Sequence, residues 1–239
     1  MTPEISVVVP VFDEEGNVGA LAREIAAAFA GRPYEMIFVD DASRDGTQAV
    51  LAGLKAELPH LRVLAHARNA GQSRALRTGV EAARGGVIVT LDGDGQNDPA
   101  DAPRLVERLK AGGPQLGLVG GLRLRRRDPW AKRVGSKIGN GVRRRILNDQ
   151  ATDTGCGLKA LPRQVFLRLP YFDHMHRFLP ALVRREGLET AFLEVSHRSR
   201  ASGRSKYTNL ARLKASAGDL LGVVWLLGRA RRPGAVSEV

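Results

Sequence analysis

The sequence predicts an α/β chain with a mostly parallel central sheet, and three observations point there. Short β-branched runs alternate with stretches of helical periodicity through the first half, and each apolar run ends in a cluster of polar or turn residues. Such alternation favours parallel strands joined by right-handed crossovers and buried on both faces. The third observation is composition: 239 residues, 43% hydrophobic and 26% charged, make an ordinary globular chain and leave out a disordered protein, a collagen-like fibre and a disulfide scaffold. Cys156 is the only cysteine, so no internal disulfide and no Cys-built zinc site can form.

The first strand is expected at Ile5 to Val11, with Pro10, Phe12 and Glu14 at its end. Val18, Leu21, Ile25 and Phe29 then recur at helical spacing. A second strand, Met36 to Val39, closes on Asp40 and Asp41, and a helix follows through Val50, Leu51, Leu54 and Leu58. The third strand, Arg62 to Ala65, leads to Arg68 and Asn69. The fourth, Val87 to Leu91, leads to Asp92 and Asp94, and the fifth, Leu116 to Val119, has Arg123 beyond it. Parallel strands align their carboxyl ends along one edge, where open α/β sheets bind ligands. Five scattered clusters are therefore expected to form one site.

Composition changes near Gly121. From there to Leu147 ten Lys and Arg face the single acid Asp128, while Val134, Ile138, Val142 and Ile146 form an apolar stripe. This reads as a basic amphipathic helix or helix pair, or as a solvated helix packed on the domain. After the turn-rich Thr154-Gly155-Cys156-Gly157 come a strand candidate at Thr190 to Val195 and a second basic cluster from His197 to Lys206. A last helix places Leu210, Leu213, Ala217, Leu220, Leu221, Val224 and Leu227 on one face. It serves either a lipid surface or a packing contact.

The net charge of +12 admits nucleic acid, an anionic membrane or a phosphate-rich substrate as partner. The first residues carry no basic segment followed by an apolar stretch and a cleavage site, so the chain is expected in the cytosol. The longest nearly apolar run, Leu220 to Leu227, falls short of the roughly 20 residues of a spanning helix.

Asp92-Gly-Asp94-Gly-Gln96 follows an apolar strand directly. Two carboxylates one residue apart, with glycines freeing the backbone, can share a hard divalent ion with diphosphate oxygens. Asp-x-Asp also arises in turns that cap a following helix, and Asp98-Pro99 is a plausible start for one. In Asp40-Asp41-Ala-Ser43-Arg-Asp45, Ser43 or Asp45 can cap the next helix, but capping leaves two adjacent acids at a strand end unexplained. One of them is read as an acceptor for ligand N–H groups. Neither Gly-x-Gly-x-x-Gly after the first strand nor a phosphate-loop motif is present, which disfavours dinucleotide dehydrogenases and P-loop enzymes.

Taken in order, Pro10-Val-Phe12-Asp13-Glu14-Glu15, Val39-Asp40-Asp41-Ala-Ser-Arg-Asp-Gly-Thr, Asp92-Gly-Asp94-Gly-Gln96 and Arg200-Ala-Ser-Gly203-Arg-Ser205-Lys206-Tyr207 resemble the motifs of inverting family 2 glycosyltransferases, most closely the dolichol- and polyprenyl-phosphate sugar transferases. The resemblance spans roughly residues 4 to 210 and implies a single GT-A catalytic domain over 1–239. Within it, 1–120 would form the nucleotide-sugar half, 121–150 basic interface helices, 151–207 the acceptor half and 208–239 a C-terminal helix and tail.

By motif position the resemblance implies that Pro10, Phe12, Glu14, Val39 and Asp41 line the nucleoside pocket with Gly93 nearby, Asp41 accepting from the base. Asp92 and Asp94, assisted by Gln96, would hold Mg2+ or Mn2+, and Arg123, Arg200 and Lys206 would contact the phosphates of donor and acceptor. Asp13 replaces the more usual Asn. The implied reaction moves a hexosyl group from a nucleotide sugar of GDP-mannose or UDP-glucose type to a polyprenyl phosphate, with the enzyme peripheral on the cytoplasmic face of the membrane. Another glycan or lipid acceptor is the alternative, and the oligomeric state stays open, a homo-oligomer included.

Other residues receive plainer readings. His174-Met-His176 lacks the spacing of a metal pair on a helix, and His176-Arg177 is a candidate contact for an acceptor phosphate. Cys156 is expected as a small buried hydrophobe, and Arg74 and Arg77 as a solvated helix face. An aspartyl-phosphate phosphatase would need its acid motif after the first strand rather than the fourth. A nucleic-acid-binding module would need aromatics among the basic clusters, where only Trp130 and Tyr207 stand.

Overall fold

The computed structural model describes residues 2–123, 147, 153, 155–198 and 209–231. The predicted basic amphipathic segment, apart from its two ends, lies outside these residues, as do Arg200 and Lys206. Among the described residues seven strands form one sheet: β1 (Ile5–Val11), β2 (Tyr34–Asp40), β3 (Leu61–Ala65), β4 (Val87–Thr90), β5 (Leu116–Leu122), β6 (Lys159–Pro162) and β7 (Glu189–Glu194). Their spatial order is β3-β2-β1-β4-β6-β5-β7. The β1–β2, β1–β4, β2–β3 and β5–β7 pairs are parallel, and β6 runs antiparallel to both β4 and β5.

Among the described residues the helices include α1 (Glu15–Ala28), α2 (Thr47–Leu54), α3 (Gln72–Ala82), α4 (Ala102–Ala111), α5 (Arg163–Arg168), α6 (Leu179–Arg185) and α7 (Asn209–Gly228). Alternation along the strands divides the apolar side chains between two cores, because successive residues point to opposite faces. Ile5, Val7, Val9 and Val11 pack with Val18, Leu21 and Ile25 of α1, Leu51 of α2 and Leu105 of α4. Val8, Ile37 and Val39 face the other way, toward Leu76 and Val80 of α3, Phe166 of α5 and Leu182 of α6. Both faces of the sheet are thus covered, as its β-branched strands require.

Local signals explain several boundaries. Asp98 Oδ1 accepts from Ala100 N–H at 3.0 Å and starts the 3-10 turn Pro99–Asp101 that feeds α4. Ahead of α2 the N-cap is Gly46, and Asp45 Oδ1 accepts from Thr47 N–H at 3.0 Å, while Ser43 turns back to Asp40 and to Asp13 N–H. At the amino-end edge of the sheet, buried Glu35 accepts from Ser6 Oγ at 2.8 Å, Arg62 Nη1 at 2.6 Å and Arg84 N–H at 2.6 Å. Burial alone would raise its pKa, but these donors outweigh burial and hold the carboxyl below its ordinary value.

The C-terminal helix corrects the single apolar face drawn from sequence. Leu220, Val223 and Leu227 pack on the second core, whereas Leu221 is 73% and Trp225 61% exposed. At 100° per residue Leu221 and Trp225 lie a quarter-turn or more beyond that seam, too far round to share it. Among the described residues no helix is long and apolar enough to cross a membrane.

Candidate active site

The carboxyl ends of β1 to β4 meet at one edge, joined there by the start of antiparallel β6, where Thr90 pairs with Lys159. Asp92 and Asp94 leave β4 into this edge. Thr90 Oγ1 donates to the Gly157 carbonyl at 2.6 Å, which draws residues 155–158 against Asp92. A Cβ on Gly157 would stand 2.3 Å from Asp92 Cγ, and one on Gly93 2.6 Å from Val11 Cγ1, so contact rather than backbone angle demands glycine at both.

Asp92 Oδ1 accepts from Gln72 Nε2 at 2.8 Å. Burial pushes the Asp92 carboxyl above its ordinary range and the Asp94 charge adds to the rise, against the pull of Lys159 and Arg123. Asp94 Oδ1 accepts from Gln96 N–H at 3.1 Å, and the Gln96 carbonyl accepts from Arg198 N–H at 2.9 Å. Two crowded carboxylates are a donor set that a hard divalent ion would relieve, so the residues fit Mg2+ or Mn2+. Among the described residues no group of three or more His, Cys, Asp or Glu could hold a metal ion.

A cavity of about 260 Å³ opens beside Asp92, with Gln72, Lys159, His176 and Arg177 among its polar walls and Leu76 and Leu179 among its apolar ones. Lys159 is buried, Nζ donates to the Cys156 carbonyl, and desolvation lowers its pKa. Cys156 is fully buried in the first core, and burial raises its thiol, so it stays protonated.

Pro10 and Val39 sit side by side in the β1–β2 register, buried, with Phe12 and Glu14 half-buried beyond them. Glu14 N–H donates to Thr47 Oγ1 at 2.8 Å and Asp13 Oδ1 accepts from Arg44 N–H at 2.7 Å, which sews this loop to the one after β2. Asp13 has φ of 49°, a conformation that Asp shares with the Asn expected there. Asp41 reaches the same rim but points inward: its oxygens accept from His66 Nδ1 at 2.7 Å, Ala70 N–H at 2.9 Å and Gly71 N–H at 2.7 Å. These bonds fix the entry to α3.

Arg123 also has a partner within the chain. Its Nε and Nη2 grip Asp153 at 2.6 and 2.8 Å, a bidentate pair with side chains 10% and 7% exposed. Burial opposes the guanidinium charge, but the Asp153 hydrogen bonds more than restore it and raise its pKa. Arg77 corrects the expected solvated face, since its guanidinium donates to the Leu167 and Leu169 carbonyls at the end of α5. Arg74 stacks over the Tyr171 ring at 3.7 Å.

Gln72, His66, Asp153 and Lys159 went unmarked in the sequence. Gln72 and His66 stand near loops already singled out, but no short motif carries them. Lys159 and Asp153 arrive only because β6 inserts between β4 and β5, a pairing of four-residue strands that periodicity does not announce.

A family model described as Glycosyl transferase family 2 matches residues 6–169. Among curated proteins, a dodecaprenyl-phosphate galacturonate synthase of Rhizobium johnstonii is 36% identical over 237 residues, covering 97% of this chain and 69% of its own. An undecaprenyl-phosphate 4-deoxy-4-formamido-L-arabinose transferase of Aeromonas hydrophila is 35% identical over 206 residues, covering 85% of this chain and 62% of its own. The chain thus spans about three-fifths to two-thirds of the length of these relatives. A solved glucosyl-3-phosphoglycerate synthase from Mycobacterium tuberculosis, with Mn2+, UDP and glucosyl-3-phosphoglycerate, superposes with a TM-score of 0.71 at 20% identity over 97% of this chain and 82% of that one. That likeness establishes the fold as GT-A.

Proposed function

We propose that this chain, which belongs to glycosyl transferase family 2 and is a glycosyltransferase, moves a sugar from a nucleoside-diphosphate donor to the phosphate of a membrane polyprenyl phosphate, with inversion at the anomeric carbon. The observation that carries the reading is the placement of Asp92 and Asp94, with Gln72 bound to Asp92, at the carboxyl edge and beside the cavity. The acceptor class rests on the two polyprenyl-phosphate transferases at 35–36% identity.

The reaction follows from the acceptor's chemistry. A phosphate monoester has its second pKa near about 6, so it is largely dianionic at neutral pH and needs no protein base. One acceptor oxygen attacks C1 as the bond from C1 to the diphosphate oxygen breaks on the opposite side, and the nucleoside diphosphate leaves with the electron pair. Asp92 and Asp94 would hold Mg2+ or Mn2+, which neutralises charge on the departing diphosphate. Gln72 orients Asp92, and Lys159 stands in the same cavity wall. Pro10, Phe12, Glu14, Val39 and Gly93 build the nucleoside side, with Asp41 holding the loop at 69–71 that borders it.

The acceptor is dissolved in a bilayer, so the enzyme works peripherally on the cytoplasmic leaflet. The exposed Leu221 and Trp225 of α7, with Arg229 against the Trp225 ring, suit such a surface. In this reading the chain is one catalytic domain. The test is a screen of radiolabelled nucleotide sugars with vesicles containing polyprenyl phosphate and Mg2+ or Mn2+. Label from at least one donor should become lipid-soluble; none from any donor, with folded protein, rejects the assignment.

A further inference from the structure

Two cavity residues lie outside that catalytic reading. His176 and Arg177 occupy the 3-10 turn Met175–Arg177 just ahead of α6. The turn is held firmly: Met175 and Phe178 are buried in the second core, and His174 Nδ1 meets Asp219 of α7 at 2.9 Å. His176 and Arg177 are thereby fixed in the cavity wall.

Ser73 of α3 holds His176 from two sides. Ser73 Oγ accepts from the His176 backbone N–H at 3.3 Å and lies 2.8 Å from His176 Nδ1, a contact in which the hydroxyl can donate to the ring nitrogen or accept from it. Burial, followed by the charges of Arg177 and Lys159, drives the imidazole well below its ordinary pKa and keeps it neutral. With the Ser73 hydroxyl donating to Nδ1, the ring proton sits on Nε2, which has no partner among the described residues. Arg177 likewise makes no side-chain hydrogen bond or ion pair among them, unlike Arg123 on Asp153 or Arg77 on the α5 carbonyls. Among the described residues lining the cavity, Asp92 is the one acid, against Lys159 and Arg177. A divalent ion on Asp92 would tip that balance further positive.

We propose that His176 and Arg177 form an anion subsite in this cavity, the guanidinium and the Nε2–H together taking a phosphate monoester or a carboxylate. In the reaction inferred above, on which the choice of source rests, the anion is either the acceptor phosphate or the carboxylate of an acidic donor sugar. No covalent step is assigned to either residue.

The experiment has a binding arm and a kinetic arm. With ring-labelled histidine and the His176 resonance assigned through a H176N variant, the protein is titrated with inorganic phosphate, farnesyl phosphate and free galacturonate. At least one should shift that resonance saturably, and Arg177→Ala should weaken the response at least ten-fold while Arg177→Lys recovers part of it. Kinetically, a ten-fold or larger rise in KM for lipid phosphate in R177A with every donor assigns the acceptor phosphate. A rise confined to acidic-sugar donors, in the KM for donor, assigns the sugar carboxylate. Absence of any shift with all three probes, or an R177A protein of unchanged melting temperature that binds them as wild type does, overturns the subsite. If wild type transfers no sugar to lipid phosphate, the proposed reaction falls while the titration still decides the subsite.

Discussion

Gly157→Ala tests how tightly the β6 loop sets Asp92. The new Cβ would lie 2.3 Å from both Cγ and Oδ2 of Asp92 and 2.5 Å from Oδ1. Reaching an ordinary contact of 3.4 Å requires a displacement of about 1.1 Å. The loop cannot easily supply it, since Thr90 Oγ1 holds the Gly157 carbonyl at 2.6 Å. Asp92 must therefore move, and its 2.8 Å bond from Gln72 lengthens or breaks. A misplacement of about 1 Å at a reacting centre can lower the rate by roughly 10²-fold. The expected result is a kcat reduced about 100-fold at saturating donor and acceptor, read by lipid-soluble label, with a melting temperature close to that of wild type. A G157A enzyme with wild-type kcat and intact fold would refute the placement of this loop against Asp92.

Three further perturbations follow from the same geometry. Glu35→Gln removes the charge that Arg62 and the Ser6 and Arg84 donors surround, which should destabilise the fold by about 2–3 kcal/mol and lower Tm by roughly 5–10 °C. Because the folded pKa of Glu35 is depressed, its contribution is present above the unfolded value and is lost as pH falls through the folded one; urea unfolding should show the gap to wild type closing on acidification, and a pH-independent gap contradicts this. Asp153→Asn strands the buried Arg123 guanidinium and should cost about 3 kcal/mol, whereas the double variant with Arg123→Met should recover much of it; strictly additive losses in denaturant unfolding would argue against the pair. Gln72→Ala should lower kcat about ten-fold with little change in Tm, and an unaltered kcat would remove its positioning role.

The architecture was legible in the sequence where apolar runs were long or ended in acids: β1, β2 and β4 carry their signal in Ile, Val and Phe, and the Asp92 loop in its spacing. The antiparallel β6 was not, because Lys159–Pro162 is too short to show periodicity and its partners lie far away in sequence. The same gap hid Lys159 and the Asp153 partner of Arg123, since ion pairs made across a sheet insertion leave no local pattern. Asp41 shows a different limit. Two acids at a strand end announced a rim, but only the fold shows that Asp40 turns to Ser43 and Asp41 to the backbone N–H groups of Ala70 and Gly71. In α7 the heptad-like run of leucines hid a seam one residue wide, and the exposed Leu221 and Trp225 emerge only once Val223 is seen in the core.

The Asp92 and Asp94 rim as the seat of a divalent ion on a nucleoside diphosphate is most directly tested by isothermal titration of UDP and GDP with and without Mn2+, on wild type and on Asp94→Asn. The geometry predicts that the ion strengthens binding of one of the two at least ten-fold in wild type and that Asp94→Asn abolishes this gain while the protein stays folded. Equal affinity with and without Mn2+ in wild type, or an undiminished gain in Asp94→Asn, would contradict it.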